Sequence, residues 1–133
     1  MSRSRRFLSL LLPALFLLMA FRQAPLVNPP AISVSSGISQ ADVVKAIKIA
    51  LIKRGWTIGT TRPGEIDASL HLRDHVADIA IDYDTSAIQI KYVGSSNLKY
   101  EVKRGTAYIH KNYLGWIQNL STDIQANMIQ FGG

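Results

Sequence analysis

The clearest pattern in this chain is an alternation of apolar and polar residues between Ile66 and Tyr92. Apolar side chains fall on every second position of three consecutive segments, and mostly polar residues lie between them. A period of two is typical of strands that bury one face and leave the other in solvent. The pattern therefore predicts an antiparallel meander whose polar face carries Asp78, Asp82 and Lys91.

The turn between the first two of these strands is predicted at Asp74 and His75. That register places His71 opposite Asp78, where a charge-assisted hydrogen bond would form. It also places Asp67 opposite Asp82, an unfavourable like-charge pair unless solvent or a cation relieves it. A slip of one residue would move charges into the core, so the alternation specifies the two faces.

Helical patterns lie on both sides of the meander. Ser39 and Asp42 form a capping box and Gly55 is a left-handed C-cap, which predicts a helix from Gln40 to Arg54. Apolar residues spaced three and four apart predict a second helix from about Tyr108 to Ile129. We expect an α+β domain in the order α-β-β-β-β-α. It consists of an antiparallel β-meander of three to four strands with an N-terminal and a C-terminal helix packed on one face.

The first 37 residues have a different composition. Residues 1–20 combine a basic start with an apolar run from Phe7 to Ala20, which predicts a secretory signal peptide cleaved after Ala20. This run is shorter than the ~20 residues that span a bilayer, and an uncleaved anchor is the alternative. Residues 21–37 are rich in proline and serine and predict a flexible linker, with a short edge strand at Ile32 and Val34 as the alternative. Residues 38–133 then form a single α+β domain.

Composition excludes several classes of protein. The chain contains no cysteine, which excludes disulfides and thiolate metal sites. The formal charge of +6 falls to +3 without the three arginines of the signal segment, which leaves 12 basic and 9 acidic residues. We therefore predict no nucleic-acid partner. Lys99, Lys103, Arg104 and Lys111 lie close in sequence, either as a solvated loop and helix start or as a weak patch for anionic lipid or polymer.

Candidate catalytic chemistry is sparse. His71, Asp74, His75 and Asp78 are the only cluster with metal-ligand side chains, but His75 would point away at the turn, which leaves too few ligands. No serine lies in a nucleophile-elbow pattern. We therefore predict no metal, no cofactor and no catalytic residue, and the sequence favours a non-enzymatic protein.

Two functional hypotheses remain. The first is an interaction or structural module that is exported by the general secretory route. It would present its polar sheet face or its 95–106 loop to another envelope protein, to peptidoglycan or to a lipid surface, and would touch the membrane itself only through an uncleaved signal segment. The alternative is a small-ligand-binding protein or hydrolase with a site between the second helix and the 94–106 loop. Its candidate residues are Asn97, Tyr100, His110 and Tyr113.

Peptide capture along an open strand edge, or oligomerisation through the same edge, is also compatible with the pattern. The oligomeric state stays open.

Short motifs are spread over about Ile38 to Ile124. They are Arg54, Gly55, Trp56; Pro63, Gly64, Ile66, Ala68; Arg73, His75, Ala77; Ile88, Ile90, Tyr92; Asn97, Leu98, Tyr100; and Ile109, His110, Tyr113, Trp116, Asn119, Leu120. Together they resemble the small lipoprotein-like periplasmic proteins of proteobacteria, a family of unknown function. The resemblance implies an α+β domain in the periplasm or cell envelope of a Gram-negative bacterium and transfers no functional residues. The chain departs from the family in lacking the lipid-accepting cysteine, since Phe21 follows the apolar run.

Overall fold

A computed structural model describes residues 22–132, so the predicted signal peptide at residues 1–20 and its cleavage site lie outside the described residues. The strands of this part are β1 (Gln23–Pro25), β2 (Ile32–Ser33), β3 (Thr57–Arg62), β4 (Glu65–Leu72), β5 (His75–Tyr83), β6 (Ala87–Ser96), β7 (Glu101–Lys103) and β8 (Thr106–His110). Its helices are α1 (Gln40–Lys53) and α2 (Lys111–Gly132). The predicted α+β class is confirmed, with more strands than the sequence indicated.

Local capping chemistry sets the ends of α1. The Ser39 side chain accepts a hydrogen bond from the Asp42 backbone N–H at 3.1 Å, which satisfies one of the free N–H groups of the first turn. At the other end Gly55 has φ +82°, and the Trp56 N–H donates to the Leu51 carbonyl at 2.9 Å. These bonds form the glycine-terminated C-cap that the sequence predicts.

The larger sheet has five antiparallel strands in the order β2-β6-β5-β4-β3. Its apolar face and the buried faces of both helices form one core. The helices run antiparallel, because Arg54 bonds Asp123 while the Ala46 carbonyl accepts from the Asn127 side chain.

The register between β4 and β5 differs from the predicted one by two residues. The turn is formed by Arg73 and Asp74, so that Leu72 lies opposite His75. Arg73 takes the left-handed conformation, with φ 57°. Displacement by two residues keeps each side chain on its face, which is why the hydrophobic pattern could not distinguish the two registers.

A second sheet of three strands, in the order β1-β8-β7, was not predicted. Its central strand β8 occupies residues 106–110, of which residues 108–110 were expected to begin the second helix. Ile109 is fully buried between the half-exposed Tyr108 and His110, so the segment alternates like a strand. Pairing with β1 on one side and β7 on the other satisfies its backbone groups, and α2 starts only at Lys111.

The segment predicted as a flexible linker, residues 21–37, is packed onto the domain from residue 22 onward. β1 pairs with β8 and β2 pairs with β6. Between them the Asn28 side chain accepts a hydrogen bond from the Tyr92 N–H at 3.0 Å, and the Pro29 carbonyl accepts from Gln89 at 2.9 Å. The segment therefore joins the two sheets, and its prolines fit because each lies at a strand end or outside a strand.

Candidate interaction surfaces

The first candidate surface is the polar face of the five-stranded sheet, on the side opposite the two described helices. Strands β3 to β6 contribute to it, and alternation along each strand sets which side chains reach it. We define the polar face by Arg62, Glu65, Asp67, Ser69, Asp78, Ala80, Asp82, Lys91 and Val93.

Ion pairs connect the strands across this face. Lys91 Nζ lies 2.5 Å from Asp82 Oδ2, and Arg62 Nη2 lies 3.0 Å from Asp67 Oδ2 while also bonding Glu65. The hydrogen bond and the charge of Asp82 raise the pKa of Lys91. Because these pairs are exposed, they add little to stability. Their consequence is a charged surface whose groups are held at defined positions.

Asp78 has a different partner from the one predicted. Ser69 lies opposite it, and the Ser69 hydroxyl donates to Asp78 Oδ1 at 2.5 Å. His71 is opposite Val76, so the predicted His71–Asp78 hydrogen bond is wrong. The cause is the two-residue difference in register.

The predicted opposition of Asp67 and Asp82 is wrong for the same reason. Asp67 lies opposite Ala80, and Glu65 lies opposite Asp82. The sheet thus still contains a like-charge pair, and each of its carboxylates has a cationic partner. Arg62 compensates Glu65 and Lys91 compensates Asp82, which relieves the repulsion expected between directly opposed carboxylates.

An apolar side chain lies on the polar face at a β-bulge. In β6 the register shifts between Gly94, opposite Asp78, and Tyr92, opposite Ile79, so that Val93 is the extra residue. Val93 is 62% exposed. Bulges are frequent beside functional sites.

The predicted strip between α2 and the loop after β6 is filled by aromatic rings. Tyr113 is only 2% exposed, and its ring meets Tyr92 edge-on at 5.6 Å. Tyr100 stacks on the other side of this group, 5.2 Å from the Tyr92 ring. Burial raises the pKa of Tyr113. Tyr113 is therefore a core residue and is inaccessible to a ligand.

The loop itself is held by its backbone. Asn97 and Lys99 have φ of 57° and 54°, a left-handed conformation that costs energy for residues other than glycine. They flank Leu98, which is 2% exposed and whose carbonyl accepts from the His110 N–H at 2.8 Å. The Asn97 carbonyl accepts from His75 Nδ1 at 2.6 Å. The loop is thus anchored at consecutive residues.

His110 caps the second helix. Its Nδ1 accepts a hydrogen bond from the Asn112 backbone N–H at 3.0 Å, as the side chain of an N-cap residue does. Burial lowers the pKa of His110, and the nearby charges of Lys99, His75 and Arg22 lower it further. A neutral imidazole is therefore favoured at this position, and it has a structural role.

Of the seven candidate binding residues, the structure places Asp78, Asp82 and Lys91 on one open face. The other four are Asn97 and Tyr100 in the loop after β6, His110 at the end of β8 and Tyr113 in α2. Ser69, Arg62 and Val93 were missed. Counting back from the two-residue turn at residues 63 and 64 would have paired Arg62 with Glu65, whereas no sequence signal identifies the Val93 bulge.

In residues 22–132, no group of three or more His, Asp or Glu side chains converges on a point that could hold a metal ion. Neither helix of this part is long and apolar enough to cross a membrane.

Comparison of the chain with family models, with curated proteins and with solved structures gives no match. The resemblance to small proteobacterial lipoprotein-like proteins therefore stays a prediction.

Proposed function

We propose that this protein is an exported, non-enzymatic interaction module of the cell envelope that binds another envelope protein through the polar face. The observation that carries the proposal is a sheet face on which ion pairs surround the exposed side chain of Val93. The signal peptide predicted from the sequence supports the location. The alternative ligand site beside α2 has less support, because Tyr113 is buried there.

Charge indicates what kind of partner would fit. The polar face has four carboxylates, Glu65, Asp67, Asp78 and Asp82, against two cations. The chain after its signal segment has 12 basic and 9 acidic residues, so this face is acidic on a basic protein. A complementary surface would present lysine or arginine around a small apolar side chain, since complementary potentials steer association and suppress wrong partners.

Site-specific photocrosslinking in cells that produce the protein tests the proposal. A benzophenone side chain at Val93 should give a discrete adduct with one envelope protein, and the same group at Ile129 of α2, which is 76% exposed, should not. Asp78→Lys with Asp82→Lys should abolish the adduct. Exchange of the ion pair, Asp82→Lys with Lys91→Asp, keeps the net charge and provides a control for folding.

The proposal fails if the Val93 adduct survives the two acidic-to-basic substitutions, or if Ile129 yields the same adduct. Circular dichroism of each variant separates lost binding from lost folding.

A further inference from the structure

The net positive charge of the described chain is concentrated in one small part of it. Residues 22–25 and 97–111, which contain the three-stranded sheet, have five basic residues and one acidic residue. The rest of residues 22–132 has seven basic and eight acidic residues. The single acidic residue, Glu101, bonds Lys103 at 3.2 Å and Gln23 at 3.2 Å. The three-stranded sheet is therefore a basic surface on an otherwise neutral domain.

The hairpin between β7 and β8 extends this charge away from the core. Residues 99–106 are all exposed. Arg104 and Gly105 form its turn with φ of 51° and 80°, the pair of positive values that a tight two-residue hairpin requires. Beside the turn, Lys103 Nζ lies 5.7 Å above the Tyr108 ring. Because Ile109 points into the core, the neighbouring Tyr108 faces outward. Lys103 of β7, which is paired with Thr106, lies on the same outward face.

The N-terminal end of the described residues lies at this surface. The Arg22 carbonyl accepts a hydrogen bond from the Lys111 N–H at 2.9 Å, and Gln23–Pro25 is paired along β8. The apolar run of the sequence ends at Ala20, two residues before this attachment. Two residues span at most about 7 Å. This connection is therefore shorter than the Debye length of about 8 Å, the distance over which charges interact at physiological ionic strength.

We propose that the three-stranded sheet, with its exposed basic residues Arg22, Lys99, Lys103 and Arg104, docks its outward face on the surface of an anionic phospholipid bilayer. The basic residues bind lipid phosphates, and Tyr108 occupies the interfacial depth that tyrosine prefers. The short connection to the apolar run holds the sheet at this surface as long as that run is not removed. This inference uses a different surface from the polar face and does not depend on the protein partner proposed above.

The absence of cysteine makes a direct test possible. The substitution Thr106→Cys introduces a single cysteine on the outward face, opposite Lys103. In the full chain this cysteine is labelled with the environment-sensitive fluorophore NBD. Vesicles of phosphatidylcholine mixed with phosphatidylglycerol should shift its emission to the blue, and phosphatidylcholine alone should not. The same label at Ile129 of α2 should stay in water with both vesicles.

Charge removal provides the quantitative arm. The double variant Lys103→Gln with Arg104→Asn removes two positive charges from the hairpin. Asparagine at position 104 tolerates the left-handed backbone of the turn. Each basic residue near an anionic surface contributes about fivefold to partitioning, so this variant should bind the anionic vesicles roughly 30-fold more weakly. Lys48→Gln with Lys53→Gln in α1 removes equal charge elsewhere and should change binding by about twofold or less, because its charges lie outside the docking face.

Three results would overturn the proposal. The label at Thr106 could remain in water although the chain floats with vesicles, which would show anchoring by the apolar run without docking. The α1 control could weaken binding as much as the hairpin variant does. The chain could bind a soluble acidic polymer and ignore phosphatidylglycerol. A salt-sensitive blue shift confined to Thr106 and anionic vesicles supports the proposal.

Discussion

Replacing His110 tests whether a neutral imidazole stabilises the start of α2. Its Nδ1 accepts the Asn112 N–H, which only an unprotonated nitrogen can do. Loss of an N-cap costs about 1 kcal/mol. His110→Ala should therefore lower the free energy of unfolding by about 1 kcal/mol, or the Tm by about 4 °C for a domain of this size. His110→Asn, which introduces a preferred N-cap, should have little effect.

The same bond makes stability depend on pH. The pKa of His110 is lowered from 6.5, first by burial and then by the charges of Lys99, His75 and Arg22. The unfolded chain therefore binds this proton more readily than the native protein does. The stabilisation is complete above about pH 6.5 and is lost as the pH falls through the lowered native pKa. Protonation also places a cation at the positive end of α2, which adds about 0.3–1 kcal/mol to the loss.

Urea unfolding of wild type and His110→Asn from about pH 8 to about pH 4 measures this contribution. Taking the difference between the two proteins cancels every other titrating group that they share. Wild type should become less stable than His110→Asn by about 1–2 kcal/mol at the acid end. Parallel pH profiles for the two proteins would refute the capping role of the imidazole.

Three further substitutions test the packing described above. Leu98→Ala should cost about 2–5 kcal/mol by leaving a cavity, measured by urea unfolding, and a loss below about 1 kcal/mol would contradict its role as the anchor of the loop. The Asn28 side chain accepts a hydrogen bond from the Tyr92 amide, so Asn28→Ala should speed hydrogen exchange at that amide. Asn28→Asp keeps an acceptor and should leave the amide protected. Equal exchange rates in the two variants would contradict this hydrogen bond. Gly115→Ala should raise stability by about 1 kcal/mol, because nothing lies within 4 Å of an added Cβ, and a lower Tm would indicate a contact that the structure does not show.

Part of the polar face could be predicted and part could not. Alternation placed Asp78, Asp82 and Lys91 on one surface, because side chains of a strand point to opposite sides with a period of two. Their partners required the register, which the turn decides. The turn at Arg73 lacks the glycine or asparagine that usually marks a left-handed position, so the sequence favoured the wrong pair of turn residues.

The N-terminal segment shows a second limit. Proline and serine at residues 25–36 indicate a linker by composition, yet Ile32 is 5% exposed and belongs to the core. Composition describes the preference of an isolated segment. Two exposed sheet edges that need hydrogen-bond partners outweighed that preference, and β1 and β2 supplied the partners.

The sequence by itself determined the α+β class, the limits of α1 and the two faces of the central strands. Each of these depends on residues within a few positions of one another, such as Ser39 with Asp42, so local chemistry is sufficient. Tertiary structure decided the register between β4 and β5, the second sheet and the packing of the N-terminal segment against both sheets. Bonds such as Tyr92 to Asn28 join residues 64 positions apart, and such pairings are selected by the packing of the whole core rather than by any local pattern.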